Sequence, residues 1–329
     1  MSLKITLGCG DYDRTKALMV GSIVPEGIDL TYLSLGPEEV FWRMLQFLEF
    51  DASEMSLSNY LIERSKDNPR FIAIPVFPAR SFRHSFIFIN TKSNIQTPQD
   101  LVGKKVGVPE YSMTATLWQR GLLEHEYNVK PSDMFWLTGG QEESGRKERI
   151  SYKLPNNIKI KFIESGKTLN EMLRTGEIDA LITASVPSCY YEPESPVKRL
   201  FEDYAELEIE YYKKTKIFPI MHTVVIRADI YERHPWVALS LYKAFCEAKD
   251  LCIKKLLDTG SLVASLPFLI PSIEKTLDVF GYNFWPYGVE NNYITLEAIC
   301  RYSFEQGLSK RKLSVEEIFA KNTYETYKI

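Results

Sequence analysis

The stretch Thr97-Pro-Gln-Asp-Leu-Val-Gly-Lys-Lys-Val-Gly-Val108 carries the local signals that decide the fold. Threonine followed by proline is typical of the start of a helix, and Gly103 predicts a turn that leads into a short apolar strand. That strand runs into Pro109–Thr114, and a further helix is predicted through Leu123. The alternation of helix, strand and helix over so short a distance indicates an α/β layer structure.

The chain before this stretch alternates in the same way. We predict strands at Ile5–Leu7, Asp29–Leu33, Asp51–Met55 and Phe71–Ile74. A helix is predicted from Pro37, because proline suits the first helical position and the acids Glu38 and Glu39 favour the first turn. The first quarter of the chain therefore predicts an α/β unit of its own.

The chain after this stretch continues the α/β pattern and then becomes helical. A strand at Ile158–Ile163, a helix at Thr168–Arg174 and a strand at Ile178–Ile182 are predicted, with Gly176 ending the helix. The last third contains the remaining predicted helices, which are Pro235–Leu257, Ser272–Val279, Thr295–Gln306 and Ser314–Phe319.

Length and charge limit the classes of protein to consider. The 329 residues predict about two domains. The 40 Lys and Arg and 43 Asp and Glu give a net charge of -3, and because no basic tract is present we expect no nucleic-acid partner. The chain contains no run of about 18 apolar residues, so we expect no transmembrane helix and no membrane partner.

The five cysteines and the first residues bear on the compartment. The cysteines are scattered, with neither a Cys-x-x-Cys pair nor a metal-ligand spacing, which predicts free thiols in a reducing compartment. Met1-Ser-Leu3 precedes a strand-like segment instead of the long apolar core of a signal peptide. We therefore expect a cytoplasmic protein, or a periplasmic one if a leader has been removed.

Two apolar stretches each contain a proline and end in a histidine. They are Phe77–His84, which also contains two arginines, and Ile217–His222. If the helical last third packs on the first α/β unit, the chain must cross between two domains twice, and these stretches are the natural crossings. Titratable groups beside arginines indicate a cleft that binds anions, so we expect the functional site here.

Two segments resemble the type II periplasmic-binding-protein fold. Asp100–Val108 is similar to the entry strand of its second lobe, and Leu173–Leu181 to the helix, turn and strand that follow. The resemblance implies an α/β, two-lobe fold with two interdomain crossing strands, to which the chain adds a helical C-terminal region. We assign 1–83 and 220–329 to lobe 1 and 84–219 to lobe 2, and we expect the ligand cleft between them.

A closer resemblance, to the 4,5-dihydroxyphthalate decarboxylase family, covers nearly the whole chain. The segments that carry it are Gly10–Thr15, Ile74–Pro78 with Arg80 and Phe82–His84, Val108–Tyr111 with Thr114 and Ala115, Trp136 with Gly139–Glu143, Gly145 and Arg146, Phe218–Thr223, Trp285–Gly288, and Tyr302 with Glu305–Leu308. The resemblance implies decarboxylation of a small aromatic dicarboxylate, 4,5-dihydroxyphthalate, to 3,4-dihydroxybenzoate and CO2. This chemistry needs a general acid, a base directed at a phenol and a cationic clamp, and no cofactor.

His84 and His222 are the catalytic candidates, because imidazole can donate or accept a proton at neutral pH. A structural role in the core is the alternative for His222, since its predicted strand places it with Ile220 and Val224 on one face. His125 and His234 lie in predicted helical surroundings and are expected to be structural.

Arg14, Arg80 and Arg83 are the candidates for the carboxylate clamp, because a guanidinium binds a carboxylate with two parallel hydrogen bonds. Arg14 follows the first strand, where α/β sheets place ligands. In an extended strand Arg80 and His84 share one face and Arg83 lies on the other, so we favour Arg80 and retain Arg83 on the resemblance. A surface salt bridge is the alternative for Arg14.

Further substrate-binding candidates lie at strand ends and in the last third. They are Ser56, Tyr111, Ser112, Thr114 and Glu305. Hydroxyl groups and backbone N–H groups at a helix start bind carboxylates, although helix capping also explains these serines and the threonine. Glu305 orients a cation or histidine, or is an ordinary carboxylate on a helix surface.

Other sites and functions remain as alternatives. His84, His222, Asp11 and Glu305 could hold a metal only by converging in the fold, since no local ligand spacing links them, and we predict no metal. The competing functions are a solute-binding protein for an aromatic or organic acid and another cytosolic enzyme on the same scaffold, such as a dehydratase or a thiamine-pyrimidine synthase. The oligomeric state, including a homo-oligomer, is left open.

Overall fold

The computed structural model describes residues 2–324, which form two compact units. Unit 1 contains residues up to Arg80, Ile220–Glu297 and the chain from Leu313 on, and unit 2 contains Ser81–Pro219 and Ala298–Lys312. The chain passes from unit 1 to unit 2 within Phe77–His84 and returns to unit 1 within Ile217–His222. The sequence assigned the whole C-terminal region to lobe 1, whereas Ala298–Lys312 groups with unit 2.

The sheet of unit 1 has five strands. They are β1 (Leu3–Cys9), β2 (Ile28–Ser34), β3 (Ala52–Ser56), β4 (Phe71–Ile74) and β11 (His222–Arg227), in the order β2-β1-β3-β11-β4. β1 pairs in parallel with β2 and β3, while β11 is antiparallel to both β3 and β4. All five residues of β3 and all four of β4 are buried, as expected of strands covered on both faces.

The sheet of unit 2 has six strands. They are β5 (Ile87–Asn90), β6 (Lys105–Val108), β7 (Phe135–Thr138), β8 (Lys159–Phe162), β9 (Ala180–Ile182) and β10 (Val197–Arg199), in the order β10-β5-β9-β6-β7-β8. The pairs β9-β6, β6-β7 and β7-β8 are parallel, and β5 is antiparallel to its two neighbours. The predicted strand of the opening stretch is therefore a central strand, β6.

Ten α-helices accompany these sheets in the described part of the chain. They are α1 (Lys16–Met19), α2 (Pro37–Phe47), α3 (Leu57–Arg64), α4 (Thr114–Tyr127), α5 (Leu169–Thr175), α6 (Tyr204–Thr215), α7 (Ala228–Arg233), α8 (Trp236–Leu256), α9 (Leu269–Phe280) and α10 (Tyr293–Glu305). α8 packs against α1 and the 3-10 turn Asp13–Thr15, so the long C-terminal helix is part of unit 1. None of the helices within residues 2–324 is long and apolar enough to span a membrane.

The structure corrects three predicted elements. The helix predicted to start at Thr97 is only one 3-10 turn, Pro98–Leu101. Phe77–His84 is not a strand: it forms one isolated bridge, from Arg80 to Ile220, before a 3-10 turn begins at His84. Pro75 and Pro78 have no N–H to donate to a strand ladder, which explains the irregular backbone. The predicted helix at Ser314–Phe319 is only one 3-10 turn, Val315–Glu317, capped by Ser314.

The order of strands in unit 1 creates one polar edge. Because β1 and β3 are parallel, their carboxyl ends lie at the same edge of the sheet. β11 runs in the opposite direction and begins there, with His222 opposite Ser56, the last residue of β3. The crevice outside the carboxyl ends of strands is where open α/β sheets bind ligands.

Candidate active site

The edge where β1 and β3 end and β11 begins holds a buried carboxylate. Glu54, the third residue of β3, has no exposed surface. Its Oε1 atom lies 2.6 Å from Nδ1 of His222 and accepts a hydrogen bond of 2.7 Å from the hydroxyl of Tyr12. Its Oε2 atom accepts a hydrogen bond of 2.9 Å from the backbone N–H of Gly10.

These contacts keep Glu54 ionised despite its burial. Burial alone would raise the pKa of Glu54, but the charge and hydrogen bond of His222, together with the Gly10 and Tyr12 donors, hold it below its usual value. The opposite effect is seen on its neighbour Cys9, where burial and then the Glu54 charge raise the pKa of the thiol. The site is therefore arranged around one fixed negative charge.

His222 is partly exposed, unlike its partner. The His222 side chain is 19% exposed and packs edge-on against Phe41 of α2, with 4.8 Å between the ring centroids. Hydrogen bonds among the described residues engage only Nδ1 of this ring. The structure thus places His222 at the polar edge of the sheet with its Nε2 atom available to a ligand.

Arg14 lies beside Tyr12, the residue whose hydroxyl donates to Glu54. Its guanidinium carbon lies 4.5 Å from the ring centroid of Tyr12 and 4.5 Å from that of Trp285, so the cation is stacked between two aromatic rings. Nε donates to the backbone oxygen of Pro78 at 2.5 Å, and Nη1 pairs with Asp13. The predicted surface salt bridge is therefore present, but the side chain is only 18% exposed and is fixed by the stack.

His84 lies in a different environment, inside unit 2. It is 2% exposed and packs edge-on against Phe201 and Tyr211, with centroid distances of 5.3 and 5.2 Å. Its Nδ1 atom is buried and makes no hydrogen bond to any residue within 2–324. Burial lowers the pKa of His84 to about 4, so the ring is neutral at physiological pH.

Arg80 and Arg83 are both buried but belong to different units. Arg80 donates to the backbone oxygen of Pro286 at 3.2 Å in unit 1, whereas Arg83 donates to that of Ala184 at 3.3 Å in unit 2. Burial lowers the pKa of Arg83 to about 10, against the opposing charge of Glu208. The strand geometry that we used to separate them does not apply, because the backbone between them is irregular.

The turn from β6 to α4 in unit 2 binds a carboxylate of the chain itself. Glu148 accepts hydrogen bonds from the backbone N–H groups of Tyr111 and Ser112, at 2.5 and 3.3 Å, and from the Ser112 hydroxyl at 2.6 Å. Met113, not Ser112 or Thr114, is the N-cap of α4, and Thr114 is the buried first residue of the helix. The N–H and hydroxyl groups of this turn are therefore used by Glu148 of the same chain, and substrate binding there stays a prediction.

The other predicted residues have identifiable partners. Ser56 caps α3, accepting from the backbone N–H of Asn59 at 3.4 Å. Glu305 pairs with His125 at 2.9 Å in unit 2, and Asp11 pairs with Lys16 on the surface of unit 1. Among residues 2–324, no group of three or more His, Cys, Asp or Glu side chains is arranged to hold a metal ion.

The sequence analysis missed the residues that form hydrogen bonds at two places: around His222, and at the turn between β6 and α4. Tyr12 was seen only as part of a family segment, and Glu54 and Glu148 were not singled out. A usable signal existed for Glu54, because a glutamate within an otherwise uncharged, buried strand needs compensating partners. No comparable signal existed for Glu148, which comes from a loop without regular structure.

Comparison with known proteins gives close sequence relatives and remote structural ones. The chain is 38% identical over 327 residues to the 4,5-dihydroxyphthalate decarboxylase of Comamonas testosteroni, covering 99% of both chains. It is 37% identical over 211 residues to that of Pseudomonas putida, covering 64% of this chain and 82% of the relative. No model of a known protein family matches.

Among solved structures, the periplasmic aliphatic sulphonate binding protein of Escherichia coli is similar with a TM-score of 0.54 and 13% identity, covering 98% of this chain and 99% of that chain. The corresponding alkanesulfonate-binding protein of Xanthomonas axonopodis gives a TM-score of 0.52 at 11% identity, with coverage of 97% and 99%. At these identities the likeness concerns the fold alone, and it confirms the predicted two-lobe, periplasmic-binding-protein-like α/β fold.

Proposed function

The chain belongs to the 4,5-dihydroxyphthalate decarboxylase family, and from this premise we propose that it removes one carboxyl group of 4,5-dihydroxyphthalate as CO2, leaving 3,4-dihydroxybenzoate. It is a carboxy-lyase by its family. One observation supports a site for this reaction: His222 and Glu54 form a pair at the polar edge of the unit 1 sheet.

The substrate supplies most of the driving force for this reaction. Each carboxyl group lies para to a hydroxyl, so a partly deprotonated phenol pushes electron density to the carbon that bears the departing carboxylate. A proton added to that carbon forms a new C–H bond, and the C–C bond then breaks so that its electron pair restores the aromatic ring. The enzyme has to supply the proton, favour the phenolate and hold the substrate.

We assign the proton donor to His222. Its Nδ1 atom is held by Glu54 and its ring is partly exposed, so a proton carried on Nε2 can be given to a bound substrate. Solvent returns the proton after CO2 leaves, so atoms and charge balance without a cofactor. His84 is excluded from this role in our proposal, because it is enclosed by aromatic rings and has a pKa of about 4.

We assign the clamp for the retained carboxylate to Arg14. Its hydrogen bonds to Pro78 and Asp13 use Nε and Nη1, and the two stacked rings hold the guanidinium plane in one orientation. A cation fixed in this way loses little conformational freedom on binding an anion. Binding by Arg80, Arg83, Ser56, Tyr111, Ser112, Thr114 and Glu305 stays a prediction.

The state of the cysteine thiols indicates the cellular compartment. No disulfide joins the cysteines within residues 2–324, which is typical of a reducing compartment, and we propose a cytoplasmic enzyme.

The decisive experiment incubates the purified protein with 4,5-dihydroxyphthalate and measures CO2 and 3,4-dihydroxybenzoate. Turnover is expected without added nucleotide, flavin or pyridoxal phosphate, and it should survive dialysis against a chelator. Tight binding of the dicarboxylate with no release of CO2 would assign the chain to the solute-binding class instead, and loss of turnover on chelation would contradict the metal-free mechanism.

A further inference from the structure

The hydrogen bonds at Glu54 determine which nitrogen of His222 carries a proton. Glu54 is an ionised carboxylate, and such a group only accepts hydrogen bonds. The contact of 2.6 Å between Glu54 Oε1 and His222 Nδ1 therefore requires a proton on Nδ1. The neutral form of His222 is then the Nδ1–H tautomer, whose Nε2 atom carries a lone pair.

The carboxylate itself cannot turn away from this arrangement. Its Oε2 atom is held by the backbone N–H of Gly10, and its Oε1 atom by the hydroxyl of Tyr12 as well as by His222. Tyr12 is in turn fixed by the Arg14 cation stacked on its ring. The Cys9 thiol adds a longer contact to Oε2, at 3.7 Å. Four donors from two strand ends and a loop thus hold one fully buried side chain in one orientation.

We propose that Glu54 is a positioning residue for the decarboxylation. By holding one proton on Nδ1, it makes Nε2 of His222 the atom that takes up a second proton from solvent, delivers that proton to the ring carbon and returns to the lone-pair form. This inference rests on the proposed function for its catalytic consequence. Glu54 does not itself contact the substrate, since it has no exposed surface. Its effect is exerted through the histidine, as expected for a buried group that orients a general acid.

Glu54→Gln is the sharpest test, because the surrounding donors dictate how the amide must lie. The backbone N–H of Gly10 cannot rotate away, so the amide oxygen has to take the Oε2 position. The NH2 group then occupies the Oε1 position and faces His222. Nδ1 must become an acceptor, and the neutral tautomer reverses to Nε2–H.

The tautomer can be measured without any turnover. The chain has only four histidines, so selective ¹⁵N labelling of histidine gives few imidazole signals, and those of His222 are identified by their loss in His222→Asn. We expect the Nδ1–H tautomer in the wild-type protein and the Nε2–H tautomer in Glu54→Gln. An unchanged tautomer in Glu54→Gln would overturn the inference, whether or not the protein is a decarboxylase.

Kinetics then test the positioning role. The kcat of Glu54→Gln is expected to fall about 100-fold or more, the usual effect of losing a positioned acid, while KM stays within about threefold. Glu63→Gln is the matched control: Glu63 is another buried carboxylate of unit 1, but it pairs with Arg70 and Lys66 and not with a histidine. If Glu54→Gln reverses the tautomer but leaves kcat unchanged, the positioning role is refuted. It is also refuted if Glu63→Gln lowers kcat as much as Glu54→Gln does.

Discussion

The guanidinium of Arg14 and the indole of Trp285 are stacked with 4.5 Å between the guanidinium carbon and the ring centroid. Trp285 is itself fixed, because its indole N–H donates to the backbone oxygen of Phe77 at 3.0 Å. Phe77 and Pro78, the residue that accepts from Arg14, are neighbours, so one irregular segment holds both partners of the stack. Arg14 is therefore held by two aromatic rings and by a backbone acceptor next to one of their partners.

Arg14→Met should therefore impair binding of a dicarboxylate more than binding of a monocarboxylate. Loss of a partly buried arginine leaves its carboxylate partner unpaired, at a cost of about 2–5 kcal/mol. The measurement is kcat/KM for 4,5-dihydroxyphthalate and for a monocarboxylate analogue in the variant and in the wild type. Equal losses for the two compounds would show that Arg14 does not bind the retained carboxylate.

The two histidines should respond differently to substitution. His222→Asn is expected to lower kcat about 100-fold or more, because it removes the proposed proton donor. His84→Asn should leave kcat near the wild-type value in the folded fraction, since His84 lies in an apolar core. The two variants are compared at equal folded concentration, judged by circular dichroism. A catalytic loss confined to His84→Asn would reverse our assignment.

His84 should also make stability depend on pH. Its pKa is about 4 in the folded protein against 6.5 in the unfolded chain, so between these values the unfolded state binds more protons. Stability is therefore lost as pH falls from 6.5 to about 4, by about 3.5 kcal/mol at most, since each pKa unit corresponds to about 1.4 kcal/mol. His84→Phe should flatten this part of the stability curve.

Urea unfolding at several pH values between 4 and 7 measures this effect, with His125→Gln as the control. His125 is a partly exposed histidine of the same unit that contacts Glu305 and Tyr302. If the wild-type protein and His84→Phe lose stability in parallel, the buried imidazole does not titrate as we expect.

Glu148→Ala should destabilise the turn before α4. The substitution removes the acceptor of the Tyr111 and Ser112 N–H groups and of the Ser112 hydroxyl, and both residues are fully buried. Unsatisfied buried donors cost about 1–3 kcal/mol, which should lower the urea midpoint. Glu143→Ala, at an exposed position of the same loop, is the control and should unfold like the wild type.

Much of the local structure follows from the sequence. The strand Phe71–Ile74 and the first residue of α2, Pro37, were predicted at the positions found, because apolar runs and first-turn preferences are local properties of the chain. The strand of the opening stretch and the helix that ends at Gly176 were predicted for the same reason. The family segments, read from the sequence alone, also indicated the two-lobe fold and the activity of the relatives.

Prediction was least reliable where backbone geometry depends on distant partners. The segment from Phe77 to His84 has the composition of a strand, but its prolines and its contacts with β11 and Trp285 give it an irregular path. The alternation of residue types could not reveal this irregular path. Such alternation indicates which side chains of a strand are buried only if the segment actually forms a strand.

From the sequence alone came many of the helices and strands, the α/β class and the candidate status of His222 and Arg14. Only the tertiary structure decided their partners. Insertion of β11 between β3 and β4 brings His222 to Glu54, a pairing of residues far apart in the chain that no local pattern encodes. The reason is physical: a buried carboxylate is stable only where several donors converge, and that convergence is a property of strand order and packing.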